Sequence, residues 1–423
     1  MAKLIIEGPT RLEGKIKVAG SKNAALPIIA ACLLSEKPVY LKNVPDISDV
    51  WVMTDILRQL GADVAYEDGI LNITARRVSA STVERSLTAR MRASVLIMGA
   101  AIGRLHKIKI AEPGGDIIGA RPLDTHLHAF KALGIKISHK DGLVALSGSP
   151  KACRVVLDDL SVTATENIIM ASVLADGTTE LRMAATEPHI VDLCNFLNHL
   201  GAKISGIGSH VLLIKGVKKL HGGEWSISPD QLEAGTLAIA AAATDGEVTI
   251  EDFVASDHDA LLTKFAQIGV NFKLTGEHTI QIKPRRQPLR AVNVKVQPYP
   301  NFPSDLQAPL AVLLTQARGT SEIFETLYEG RLQYLYELQR MGAHVAIKDT
   351  HTGTISGPTP LFSAELISFD IRAGATILIA AMVAEGRTVI DRVEHIDRGY
   401  ENFDARLRLL GANMYREAAA VLT

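Results

Sequence analysis

Leu200-Gly201-Ala202-Lys203-Ile204-Ser205 is one of six copies of a single signal: an apolar residue, a glycine, a third residue that is four times alanine, a polar residue and another apolar one. The other copies begin at Leu60-Gly61, Leu133-Gly134, Ile268-Gly269, Met341-Gly342 and Leu410-Gly411, with successive glycines 67 to 73 residues apart. Each reads as the end of a helix, a glycine stop and an alternating strand. One supersecondary unit is therefore used six times, and the repeat sets the architecture.

A second signal recurs in phase with the first. A helix of small and apolar residues opens with a charge, as in Ser21-Lys22-Asn23-Ala24-Ala25-Leu26; the six charges are Lys22, Arg92, Glu166, Glu233, Asp305 and Arg372. Runs such as Leu237 to Ala243 and Thr376 to Ala381 have no polar face, which predicts helices buried all round. Gly177, Gly246, Gly319 and Gly386 follow several of these runs and are expected to cap them before strands such as Glu247-Val248-Thr249-Ile250. Each unit reads as strand, buried helix, strand, amphipathic helix, strand. The fold class is α/β, and six units in 423 residues divide into two groups of three.

Composition narrows the function classes. The formal charge of −1 argues against a broad nucleic-acid surface while leaving room for a local cationic pocket. Apolar stretches fall short of the roughly 18 residues of a membrane span, and Leu4-Ile5-Ile6-Glu7 is preceded by no signal-peptide pattern. Cys32, Cys153 and Cys194 have no CxxC spacing and cannot all pair, which points to a reducing, cytoplasmic setting. The 13 histidines form no metal-binding motif, and His126 and His128, two apart, fall on different helix faces. Neither a metal nor a cofactor is expected.

The repeat breaks at Ala111-Glu112-Pro113-Gly114-Gly115-Asp116-Ile117-Ile118-Gly119-Ala120-Arg121-Pro122-Leu123-Asp124, a glycine-rich stretch without a counterpart in the other units. Its paired glycines suit a mobile lid that approaches a ligand closely; the alternative is a long surface turn with a solvated Asp116. Lys22, Arg92 and Arg372 pose a second puzzle, because cations repel the positive end of a helix dipole. An anionic ligand held at the helix ends resolves it, and so does pairing with Glu166, Glu233 or Asp305 of a neighbouring unit. Arg398, in His395-Ile396-Asp397-Arg398-Gly399-Tyr400, adds to an anion site for phosphate or carboxylate, and Arg331 either extends that site or is a solvated charge.

These segments, together with Met91-Arg92-Ala93-Ser94, Pro303-Ser304-Asp305-Leu306-Gln307-Ala308 and Met341-Gly342-Ala343-His344, resemble the enolpyruvyl transferase superfamily over essentially the whole chain. Within it the chain is similar to the branch acting on UDP-N-acetylglucosamine; the shikimate branch replaces Asn23-Ala24-Ala25 by a run with a second serine and an arginine. The resemblance implies the two-domain enolpyruvyl transferase fold, an inside-out α/β barrel with three units per domain and buried helices in each core. It implies one domain over 22–230 carrying a lid loop at 111–124, a second made of 1–21 and 231–423, and an active site in the cleft between them.

The resemblance also implies a cytoplasmic transferase of peptidoglycan synthesis, with no cofactor. The enolpyruvyl group of phosphoenolpyruvate passes to the 3′-hydroxyl of UDP-N-acetylglucosamine through a tetrahedral intermediate that expels phosphate. Alternatives are transfer to a different nucleotide sugar or metabolite, or a non-catalytic binding paralogue. By position, Lys22, Arg121 and Arg398 hold phosphoenolpyruvate with Asn23 beside them. Arg92, Arg121, Pro122, Leu123, Asp124, Thr125, Ser161, Val162, Asp305 and Leu327 contact the nucleotide sugar, with Arg331 and Arg372 in support. The reaction needs an acid for C3 and a base for the hydroxyl. Asp305 suits the base and Asp116 the acid, provided desolvation under the lid keeps Asp116 protonated. Most relatives carry at that position a cysteine that fosfomycin alkylates, so an aspartate there implies resistance to covalent inactivation. Leu160, Thr163, Gln231 and Tyr328 stand where the family commonly has Lys, Gly, Arg and Phe, which bears on the acceptor.

Overall fold

The computed structural model describes residues 3–115, 119 and 122–417. The chain folds as two units, a terminal unit formed by the chain up to Ala19 and again from Pro229, with Gly119, and a central unit formed by Gly20–Gly115 and residues 122–228. Each unit contains three sheets.

The sixfold signal is visible in the sheets. Five have four strands in one arrangement, in which a parallel edge strand is followed by three antiparallel ones. In the terminal unit, for example, Val294–Val296 lies parallel to Gly319–Glu325, which pairs antiparallel with Thr352–Gly357 and through it with His344–Ile347. The sixth sheet, Lys107–Ala111, Leu143–Ser147 and Lys136–Lys140, has three strands, and a parallel bridge from Thr82 to Lys109 occupies the fourth place.

All six glycines of the opening signal adopt the left-handed conformation, with φ between 82° and 103°. Gly61, for instance, ends the helix Ser48–Leu60, and the strand Asp63–Glu67 follows. A side chain would strain this backbone, which is why the signal requires glycine.

The sheets enclose helices that are buried on nearly every face. Lys22–Ala31, Ile97–Leu105 and Val162–Ser172 form the core of the central unit; Gln231–Ala243, Ser304–Thr315 and Ile371–Val383 form that of the terminal unit. Two details differ from the sequence expectation. Gly177, Gly319 and Gly386, all with positive φ, stand at the starts of strands and do not cap helices; after Gln231–Ala243 the left-handed residue is Asp245, one before Gly246. Glu166 does not open its helix either. It sits one turn inside Val162–Ser172, and the position equivalent to Lys22 is Val162.

Glu166 is fully buried, and both burial and the nearby Glu187 push its carboxyl well above the ordinary glutamate value of 4.5. A carboxyl raised in the folded state stabilises the fold below its unfolded value and loses that contribution as pH rises through its folded value. The contribution of Glu166 to stability should therefore fall with rising pH above 4.5, with a slope of up to about 1.4 kcal/mol per pH unit. Urea titrations across that range should show Glu166→Gln losing this part of the slope; equal slopes would refute the assignment.

The three cysteines are unpaired. Burial pushes the thiols of Cys32 and Cys194 up, Cys194 to about 12, so neither is a nucleophile at neutral pH.

Candidate active site

In the terminal unit the site is built around Asp305, the second residue of the buried helix Ser304–Thr315. One carboxylate oxygen accepts a hydrogen bond from Nη2 of Arg331, and the other accepts one from Nε of Arg372 at 2.9 Å. Both arginines are buried, whereas the Asp305 side chain is 28% exposed, so the carboxylate is the wet end of the cluster. Burial pushes both guanidinium pKa values down, but Asp305 helps to pull Arg331 above its ordinary value, and Tyr400 and Asp305 do the same for Arg372. The two cations fix both carboxylate oxygens of Asp305.

Arg372 is positioned from below. Its Cζ lies 5.2 Å from the centre of the Tyr400 ring. Tyr400 stacks on Phe403 and bonds through its hydroxyl to Thr236 at 3.1 Å. The puzzle of a cation at a helix start is resolved by Asp370, whose Oδ1 accepts the N–H groups of Arg372 and Ala373 at 2.7 and 2.8 Å. Asp230 caps Gln231–Ala243 in the same way. Arg331 is thus no solvated charge, and Arg372 pairs with Asp305, the ion-pair alternative. Glu233 instead pairs with Arg406 at 2.7 Å. Leu327 is exposed and Arg398 half-buried in the same unit.

In the central unit Lys22 starts the helix Lys22–Ala31, capped by Ser21, and its Nζ lies 2.7 Å from Asp49 Oδ2 with both side chains largely buried. Asn23 is half-buried beside it. A second group of expected residues is gathered by contacts between neighbouring segments. Arg92 Nη2 donates to the Pro122 carbonyl at 3.4 Å. Leu123 and Asp124 lead into the helix Asp124–Ala132, where Thr125 donates to Asp159 at 3.4 Å and His126 Nε2 meets Thr163 Oγ1 at 2.9 Å. Ser161 caps the following helix, and Val162 is its first residue. Arg92, Pro122 to Thr125 and Ser161 to Thr163 are therefore brought together. His126 is buried and His128 exposed, as their spacing requires.

The glycine-rich stretch has a local reason for its composition. A Cβ on Gly114 would lie 1.9 Å from the Ala89 carbonyl oxygen, and Gly115, at φ 111°, packs on the backbone of Arg92. These glycines let the segment pack closely on the turn that precedes Arg92. Asp116 and Arg121 lie outside the described residues. Among the described residues no group of three or more His, Cys, Asp or Glu side chains is placed to hold a metal ion, and no helix is long and apolar enough to cross a membrane.

The sequence profile of the EPSP synthase (3-phosphoshikimate 1-carboxyvinyltransferase) family matches residues 6–407. The chain belongs to this family. Among curated members it is similar to UDP-N-acetylglucosamine 1-carboxyvinyltransferase of Hydrogenovibrio crunogenus, with 40% identity over 98% of this chain and 100% of that one. It is 43% identical to UDP-N-acetylglucosamine 1-carboxyvinyltransferase 1 of Caldanaerobacter subterraneus, over 98% and 99% of the two chains. Among solved members it is similar to the enolpyruvyl transferase NikO from Streptomyces tendae, with a TM-score of 0.89, 26% identity and 99% of both chains covered. The EPSP synthase of Acinetobacter baumannii, at 18% identity and a TM-score of 0.75 over 99% of this chain and 100% of that one, shares the family fold. The chain thus has the enolpyruvyl transferase fold.

Sequence reasoning missed Asp49, Asp230 and Asp370. The last two were findable, since an aspartate immediately before an apolar helical run is an N-cap signal. Asp49, on another amphipathic helix, has no local signature that ties it to Lys22.

Proposed function

We propose that the chain transfers the enolpyruvyl group of phosphoenolpyruvate to the 3′-hydroxyl of UDP-N-acetylglucosamine, releasing phosphate. Near-complete alignment at 40–43% identity with three proteins named for that reaction carries this reading. On this reading the chain acts in the cytoplasm, at the first committed step of peptidoglycan synthesis.

Asp305 is the base toward the acceptor hydroxyl. Its two arginines orient it, and 28% of its side chain is exposed. Asp116 is the acid that protonates C3. Lys22, Arg121 and Arg398 hold phosphoenolpyruvate with Asn23 beside them and stabilise the departing phosphate. Arg92, Pro122 to Thr125, Ser161, Val162 and Leu327 bind the nucleotide sugar. Phosphate release that requires both substrates, followed with folded protein, supports the reaction; none at saturating concentrations would refute it.

A second acceptor is favoured by one observation, the hydroxyl of Thr163 bonded to buried His126, at a position where the family resemblance implies glycine. Calorimetry with a panel of uridine nucleotides separates the two readings: tightest binding of UDP-N-acetylglucosamine supports the first. For the acid, Asp116→Asn should lower kcat by about 100-fold, the usual scale for a general acid. Asp116→Cys should keep turnover and gain time-dependent inactivation by fosfomycin. Near-wild-type turnover of Asp116→Asn would assign C3 protonation to another group.

A further inference from the structure

Glu325 ends the strand Gly319–Glu325, in which Ser321, Ile323 and Glu325 alternate onto the inward face. A carboxylate at such a position is costly unless donors surround it. Glu325 is completely buried and meets donors from two separate segments. Ser304 Oγ donates to its Oε2 at 2.6 Å, and the Leu327 N–H donates to its Oε1 at 2.8 Å; the Tyr328 N–H is a further donor. The backbone of Glu325 is held too, its N–H donating to the His351 carbonyl at 2.8 Å and its carbonyl facing His351 Nδ1 at 2.6 Å.

These donors come from the two pieces of chain that carry the Asp305 cluster. Ser304 immediately precedes Asp305, and Leu327 and Tyr328 begin the short loop that delivers Arg331 to Asp305. The contacts close a ring: Glu325 to Ser304, Ser304 to its chain neighbour Asp305, Asp305 to Arg331, and back through the loop to Glu325. We propose that Glu325 is a positioning residue for the reaction, setting Asp305 and Arg331 against each other from beneath, and that a core carboxylate is kept there for this purpose. The proposal rests on the reading of Asp305 as the base.

Glu325→Gln keeps the shape, but its amide nitrogen cannot accept, so one of the two donor groups loses its partner. It is expected to lower kcat about tenfold while the KM for phosphoenolpyruvate changes less than about twofold, since the damage is to orientation and not to anion binding. In an Asp305→Asn background the same substitution should change kcat less than about twofold, because a residue acting through Asp305 has nothing left to position. Ser304→Ala removes a single donor and carries the test if Glu325→Gln fails to fold; it should lower kcat about threefold and likewise lose its effect in the Asp305→Asn background. Unchanged kcat in folded Glu325→Gln, or effects of the two substitutions that multiply, would overturn the role of Glu325 alone. Absence of phosphate release from the wild-type chain would instead overturn the reaction and, with it, this role.

Discussion

Asp305→Asn is expected to lower kcat about a thousandfold, within the range for loss of a general base, without raising the KM for phosphoenolpyruvate. Asparagine keeps the shape and one acceptor oxygen, but its amide nitrogen faces a guanidinium as donor against donor. The charge that takes the hydroxyl proton disappears, and the two buried arginines keep theirs, so attraction for an anionic substrate is undiminished. Deleting one partner of a fully buried ion pair costs about 3–5 kcal/mol. Here Asp305 is 28% exposed and Asp370 and Tyr400 remain beside the arginines, so the loss of stability should be smaller, about 1–2 kcal/mol. Steady-state phosphate release with thermal denaturation on the same samples checks both parts. Turnover within about tenfold of wild type would remove Asp305 as the base.

Arg372→Met should lower kcat/KM about 100-fold while changing stability by less than about 1 kcal/mol. The two effects separate because they have different causes. Burying a guanidinium carries a desolvation penalty that a thioether of similar length does not, and Asp305 retains Arg331 as a partner. Activity depends on geometry: without the Nε contact, one carboxylate oxygen loses its Arg372 donor and Asp305 is held less firmly in orientation. Arg372→Lys restores the charge, but not the planar group that both stacks on Tyr400 and donates sideways, so it should recover less than about tenfold. Full recovery by lysine would mean that charge alone is what Arg372 supplies. A large loss of stability in Arg372→Met would instead mark the cluster as a structural ion pair.

The sixfold repeat was legible because its glycines answer a local demand. A left-handed residue between helix and strand admits glycine far more easily than anything else, so the same signal appears at Gly61 and again at Gly411. The buried helices were legible for a similar reason, since a run without a polar face has only one place to go. What failed was phase and partnership. Glu166 fell at the right spacing but one turn late, because a period of about 70 residues tolerates a shift of four without losing its rhythm. Gly246 was expected as the cap, yet Asp245 takes the left-handed position, which aspartate tolerates well enough to hide the signal. Of the partners distant in sequence, only that of Arg372 was legible, its pairing with Asp305 being one of two alternatives. Nothing near Arg331 marks it as buried against Asp305, and nothing near Lys22 points to Asp49. Glu325 left only a faint trace, an acid on the inward face of an alternating strand.

The most direct test of the central claim is a reaction in D2O with UDP-N-acetylglucosamine and phosphoenolpyruvate, followed by mass spectrometry of the nucleotide product and by phosphate release. Addition of the hydroxyl to C2 with protonation of C3 gives an intermediate whose methyl group carries one solvent hydron. Loss of phosphate with a hydron from that methyl then regenerates the double bond. The account predicts one phosphate released per enolpyruvyl ether formed, with deuterium in its vinyl methylene. Product lacking deuterium would contradict it, as would no product at all from folded protein.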